Sequence, residues 1–386
     1  TYRYSYGYTV FLTILNFLGG GNLLAMRIFH AMVSALVPVM IYRAGRLIFR
    51  DRLAAWLGAL CYLFYAPALL ISLDFLREAP LALAFIAYFI DLVRALRSRK
   101  QKYFLRAGLW GALTILGREN FAAVIFVPLL FLFFNRIRQR LPRRAVVIFI
   151  AAALLPVLAV MTFNYCRFGS FQPVPGNAGN IMQFYHGESA TRHFGTAVLS
   201  LLKRAPGQFC DFFSNYELAN SLSVYAHREL IGFLNVFNMP YHLMLLLALT
   251  GKFYYFRNRG VQLAALLIAA YIASILFFTM FYRFRIPVAP LIAMLAGGGI
   301  AALLAMARRR QYRGLAIFAF AGSLFLWVTA ADPDHKRPFA ERAAVARIMI
   351  EHRQFDRAES YLQKMAADGH DVRAGFTLLE RRRLQP

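Results

Sequence analysis

Residues 74–100 read DFLREAPLALAFIAYFIDLVRALRSRK. The run 78–96 is apolar and long enough to cross a bilayer, which takes roughly 17–25 residues. Asp74, Arg77 and Glu78 close one end, and basic residues from Arg94 onward close the other. Nine more apolar runs of this kind follow along the chain, at 23–48, 53–72, 103–117, 120–135, 145–163, 240–256, 261–281, 286–306 and 313–331. The composition agrees. Of 386 residues 60% are hydrophobic and 16% charged, where a soluble domain is roughly 45–50% apolar. This excludes a soluble enzyme, a fibrous protein and a disordered chain. The expectation is an all-α, polytopic transmembrane helical bundle with about ten spans.

The net charge of +26 comes from 44 Lys and Arg against 18 Asp and Glu. It lies in clusters between the apolar runs. One set of alternate loops holds Arg43, Arg46, Arg50 and Arg52, then Arg94 to Arg106, then Arg136 to Arg144, Lys252 to Arg259 and Arg308 to Arg313. The short loops of the other set hold Arg77, Arg118, Arg283 and Arg285. The positive-inside rule assigns the first set to the cytoplasm. The charge therefore reads as a topology signal, and no nucleic-acid partner is expected.

Three segments then face outward. They are an N-terminal segment 1–22, a large loop 164–239 within the membrane domain 23–331, and a tail 332–386. The localisation expected is a bacterial inner membrane, with the loop and the C-terminus periplasmic. A loop this long carries function or structure of its own, and spacing near 196–213 predicts a helix lying on the membrane surface. Cys166 and Cys210 share this loop, where a disulfide is one alternative, and Cys61 lies in an apolar run. The tail is polar and helical. Its stretch FDRAESYLQKM resembles one tetratricopeptide helical hairpin, which cannot bury its own face and so implies a protein partner or further repeats. Gly297-Gly298-Gly299, inside a span, predicts close helix packing. His30 and His242 read as packing histidines, and Asp91 with Arg94 as a local ion pair.

Charges at membrane depth are costly and tend to be functional or paired. Asp74, Arg77 and Glu78 fall at one outward turn, Arg118 and Glu119 at a second, and Arg283 and Arg285 at a third. If residues 74–78 are helical, Asp74 and Glu78 share a face. Arginines suit a phosphate because their planar fork matches its oxygens. Carboxylates suit an acceptor's proton or a divalent metal ion.

In order along the chain, several stretches resemble the fold-C glycosyltransferases that use lipid-phosphate sugars. The pattern is that of glycosyltransferase family 39, which includes the dolichyl-phosphate-mannose protein mannosyltransferases and the aminoarabinose transferase of lipid A. Arg3 to Tyr8, then Phe11-Leu12, resembles the family's basic-Pro-Pro-Gly-Tyr approach to its second span, with Ser5 and Tyr6 in place of the prolines. LREAPLALAF resembles its Thr-Glu-Ala-Leu stretch and puts Glu78 on the acidic position. ILGRENFAAVIFVPLLFL resembles its Arg-Pro turn, with Arg118 as the arginine and Glu119 in place of a proline. YRFRIPVAPLIAMLAG resembles its Arg-x-x-Pro-x-x-Pro span through Arg285, Pro287 and Pro290.

The resemblance implies transfer of a sugar from a polyprenyl-phosphate donor to a periplasmic acceptor, which is a protein, a lipid or an envelope glycan. It implies Glu78 and Asp74 as catalytic-site carboxylates, and Arg3, Arg118, Arg283 and Arg285 as ligands of the donor phosphate. In the family the catalytic Asp sits in the first outward loop, upstream of the stretch matched by residue 3. The expectation is thus an N-terminally shortened chain whose base is not among these residues. The rival readings are an O-antigen ligase or polymerase, and a non-catalytic transporter or scaffold.

Overall fold

The computed structural model describes residues 6–134, 142–169, 171, 194–214, 217, 224, 227–228, 232–276, 282–330, 339–351 and 353–383. Arg3, nearly half of the loop 164–239 and the start of the tail lie outside them. In chain order the helices are α1 (Tyr6–Leu18), α2 (Leu23–Phe49), α3 (Arg52–Leu63), α4 (Ala66–Leu73), α5 (Glu78–Ser98), α6 (Gln101–Gly117), α7 (Phe121–Phe134) and α8 (Arg143–Phe168). They continue with α9 (Phe194–Phe213), α10 (Tyr241–Tyr254), α11 (Arg259–Ile275), α12 (Ala289–Arg308) and α13 (Tyr312–Thr329), and in the tail α14 (Phe339–Glu351), α15 (Phe355–Ala367) and α16 (Arg373–Arg383). The protein is an all-α, multi-pass membrane protein. Among the described residues five helices are each long and apolar enough to cross a bilayer: α2, α5, α8, α12 and α13. The other expected spans are built from shorter pieces. The run 53–72 is two helices, α3 and α4, broken at Phe64-Tyr65.

The bundle is organised around α12, which packs on α10, α3 and α2. Its three glycines make this contact close. A Cβ on Gly297 would strike the backbone of Ala54 and Gly58 in α3, one on Gly298 the Phe49 ring, and one on Gly299 the Leu247 carbonyl in α10. Gly58 and Gly251 answer from the facing helices, since a Cβ there would strike the backbone of α12. Lipid tails are as apolar as leucine, so the gain from this fit is van der Waals contact between backbones. By contrast α13 is largely exposed, with Phe320 78% and Trp327 77% accessible, as a helix facing lipid would be.

The basic side is tied by side chains that cap backbone groups. Asn258 starts α11 by accepting from the Gly260 amide at 2.9 Å, and its Nδ2 donates to the Ile48 carbonyl at 2.9 Å. Arg97 donates to the Leu47 carbonyl at 2.6 Å. Helices α2 and α5 each end on an arginine in the left-handed conformation, Arg50 (φ 56) and Arg99 (φ 56), and Arg310 (φ 52) closes the turn after α12. Asp91 pairs with Arg94 at 3.5 Å as expected, and also with Arg106 of α6 at 3.1 Å.

Three expectations change. Cys61, Cys166 and Cys210 are all free thiols, so the disulfide alternative falls. Residues 74–77 are not helical: α4 stops at Leu73 and Asp74 is extended, so the one-face argument for Asp74 and Glu78 fails. Among its described residues the tail has three helices, and Leu379 of α16 joins Val345, Met349, Leu362 and Met365 in a small core, so the hairpin face is covered from within the chain. The helix expected at 196–213 is present as α9.

A side chain on the α12 seam should destabilise the bundle. Gly299→Val should lower the thermal midpoint of the detergent-solubilised protein by the equivalent of at least about 1–3 kcal/mol, the usual cost of overpacking. Gly207→Ala, where nothing lies within 4 Å in helix α9, should be neutral or slightly stabilising.

Candidate functional site

The outward end of α5 presents a buried carboxylate. Glu78 is the first residue of α5 and is 1% exposed. The helix can begin there because Pro80, which has no N–H, sits in its first turn, where a helix has no use for one. A carboxylate at a helix N-terminus is also favoured by the partial positive charge there. Neither Glu78 oxygen has a hydrogen-bond partner among the described residues. Its ion pairs are long: Arg77 at 3.9 Å and Arg283 at 4.0 Å, through Oε1 in both cases.

The other arginines come from the next two outward turns. Arg118 ends α6 in extended backbone and is 8% exposed. Its guanidinium lies 4.0 Å from the centre of the Phe284 ring, and Arg283 approaches the same ring at 5.3 Å. Gly117 lets the end of α6 come close to Leu81 of α5. The turn Tyr282–Arg285 that carries Arg283 is held by the Tyr271 hydroxyl, which donates to the Phe284 carbonyl at 2.7 Å. Burial pulls the Arg77 guanidinium below its usual value, and nearby Arg118 and Arg283 add to this while Glu78 opposes it. Burial raises the Glu119 carboxyl, with Arg77 acting against it. Arg77, Arg118 and Arg283 thus gather at one place with Glu78 and Glu119, and their guanidinium groups suit an anion.

An apolar cavity of about 180 Å³ opens beside Arg77. Tyr8 and Phe11 of α1, Val33 of α2, Leu81 of α5 and Trp110 of α6 line it. Arg77 is the charged residue in that lining.

Arg285 belongs to a second network. It is 2% exposed, donates to Glu217 Oε2 at 3.0 Å and to the Asp211 carbonyl, and lies 4.5 Å from the centre of the Tyr241 ring. The Tyr65 hydroxyl donates to Glu217 Oε1 at 3.0 Å. The end of the long loop is fastened at the same place, with the Met239 amide donating to the Phe64 carbonyl at 2.9 Å. Burial raises the Glu217 carboxyl, and Arg285 and Tyr65 hold it back. Tyr282, 2% exposed, sits where the fields of Glu217, Glu78 and Asp74 overlap.

Glu78, Arg118 and Arg283 are thus brought together from three turns. Asp74, the C-cap of α4, accepts from the Phe75 amide at 2.9 Å. Arg3 lies outside the described residues. Sequence reasoning missed Glu217 and Tyr65, because no spacing links residues 65, 217 and 285. Among the described residues no three His, Cys, Asp or Glu side chains cluster as metal ligands. Glu78 is flanked by arginines, a setting better suited to an anion than to a divalent cation.

The buried pair yields a test. Removing one partner of such a pair typically costs 3–5 kcal/mol, because the other charge is left buried. Glu217→Ala should therefore lower the thermal midpoint sharply. Glu217→Leu combined with Arg285→Met should recover much of the loss in the same melting assay.

Comparison with known proteins follows this geometry. Residues 6–163 match the family model described as dolichyl-phosphate-mannose-protein mannosyltransferase. No curated protein sequence matches the chain. Among solved structures, apo ArnT from Cupriavidus metallidurans is 17% identical with a TM-score of 0.49, over 89% of this chain and 59% of that one. ArnT of the same organism bound to undecaprenyl phosphate is 16% identical with a TM-score of 0.48, over 97% and 66%. The Archaeoglobus fulgidus oligosaccharyltransferase tethered with an acceptor peptide is 16% identical with a TM-score of 0.49, over 92% and 50%. The chain therefore spans between half and two thirds of these proteins' lengths. The resemblance read from the sequence is found again over residues 6–163, which are similar to the dolichyl-phosphate-mannose-protein mannosyltransferases.

Proposed function

We propose that this protein is a membrane glycosyltransferase that moves a sugar from a polyprenyl-phosphate donor to an acceptor on the side opposite the basic loops, the periplasmic side of a bacterial inner membrane. The observation that carries this is Glu78, a buried carboxylate with no hydrogen-bond partner among the described residues and flanked by arginines, beside an apolar cavity with Arg77 in its wall. The family match over residues 6–163 supports it.

The chemistry follows from charge. A sugar phosphate is an activated donor because the phosphate leaves as a stabilised anion. Arg77, Arg118 and Arg283 are placed to hold that phosphate and to stabilise the negative charge that grows on it as the glycosidic bond breaks. The apolar cavity takes the first part of the prenyl chain. Glu78 accepts hydrogen bonds that no neighbouring side chain uses, and it orients the acceptor's hydroxyl or amine. Arg285 acts through the loop: its pair with Glu217 holds the segment before α10 against the break between α3 and α4.

The test uses membranes containing the full chain. Wild-type protein should bind undecaprenyl phosphate, and the Arg77→Ala/Arg283→Ala variant should bind it on the order of ten- to a hundredfold more weakly, the scale of two lost charge-assisted contacts. With a polyprenyl-phosphate sugar and the full-length protein that includes the upstream segment, Glu78→Gln should abolish transfer while the amount of folded protein is unchanged. Wild-type membranes that bind no undecaprenyl phosphate would overturn the reading. Unimpaired transfer by Glu78→Gln would remove Glu78 from the site.

A further inference from the structure

The turn that carries Asp74, Arg77 and Glu78 is a gap between two helices, and its backbone is left with acceptors that the helices do not satisfy. α4 stops at Leu73, and the Leu76 amide, which would have continued it onto Ser72, instead donates to the Asp74 carbonyl at 2.8 Å. α5 starts at Glu78, and Pro80 has no N–H to donate back to the Leu76 carbonyl. The carbonyls of Ser72 and Leu76 are the ones His30 reaches from α2. Its Nδ1 lies 3.0 Å from the Ser72 oxygen and its Nε2 lies 3.2 Å from the Leu76 oxygen. The ring is 1% exposed and stands between the Phe11 and Phe75 rings at 5.9 and 6.1 Å. Phe75 in turn lies under Arg27 of α2, 5.9 Å from its guanidinium carbon.

We propose that His30 is a positioning residue for the anion site: its ring bridges the two carbonyls that the broken helix leaves without helical donors, donating to at least one of them, and so sets where Arg77 and Glu78 stand. Leu76 directly precedes Arg77, and Glu78 follows it. A shift of the Leu76 carbonyl therefore moves both charged groups relative to Arg283, with which Glu78 makes a 4.0 Å contact. An unmet carbonyl in apolar surroundings is costly, so without the ring the turn would rearrange to find donors. A packing histidine needs no such pair of carbonyls. This inference rests on the reading of the site as one for a lipid phosphate, and the experiment separates the two.

The full-length chain is measured in detergent for affinity to undecaprenyl phosphate and for hydrogen exchange of the amides at 73–79. His30→Leu removes the ring and its N–H donor. It should weaken binding by on the order of tenfold, the scale of a lost hydrogen bond or two at a site, and speed exchange at 73–79 while the rest of α5 stays protected. His30→Gln, whose amide carries two N–H groups, should stay within about threefold of wild type by the same measure. Wild-type affinity in His30→Leu, wild-type exchange at 73–79, or a loss in His30→Gln equal to that in His30→Leu would each overturn the proposal. If His30→Leu does not fold, His30→Phe, an aromatic ring without an N–H, takes its place with the same expected exchange. If the wild-type chain binds no undecaprenyl phosphate, the functional reading falls, and exchange at 73–79 alone then decides whether His30 positions the turn.

Discussion

Away from water, every backbone N–H and C=O needs a partner within the protein. An unbroken helix meets that demand by itself, and a broken one does not. The breaks in this bundle show how the demand is met. The gap between α3 and α4 is closed by Asn238 and Met239, which pair with Tyr65 and Phe64. The gap between α4 and α5 is closed by His30. The turn before α12 is closed by the Tyr271 hydroxyl. Each repair comes from a distant part of the chain, so each ties two elements together as it satisfies the backbone. Arg77 and Glu78 stand at one of these gaps and Arg283 at another, where the chain leaves helical geometry and a side chain can point somewhere a helix would not send it.

The same constraint explains the glycines of α12. Helices that satisfy their own backbone have little to hold them together in an apolar medium except contact. Gly297 and Gly299 remove the side chains that would keep α3 and α10 at a distance. The core then grows outward through large side chains, among them Phe85, Phe89, Phe121 and Tyr271. With the centre fixed in this way, the outward turns become a stable platform for Glu78 and the arginines.

Much of this was legible in the sequence, for physical reasons. Apolar runs and basic loops reflect the bilayer directly, so the all-α membrane class and the grouping of Glu78, Arg118 and Arg283 at outward turns could be read from spacing alone. The Gly297–Gly299 run announced a close contact, and α9 followed from its periodicity. What could not be read depends on long-range pairing. Glu217 is one acid in a long loop, and only the fold shows that it meets Tyr65 and Arg285. The break at Asp74 was hidden because residues 74–78 carry a helical spacing, while Pro80 marked a helix start only a few residues later. The third tail helix escaped notice because its basic end, Arg381 to Arg383, reads as a solvated run, although Leu379 just before it is buried.

The left-handed arginines on the basic side have a consequence for how the molecule comes into being. At Arg50, Arg99 and Arg310 a helix or its following turn ends in a conformation that glycine adopts with far less strain. Positive charge next to an apolar span is what holds that end on the cytoplasmic side as a chain inserts. At these positions the charge and the strained turn fall on one residue, so glycine there would ease the turn and remove the charge together.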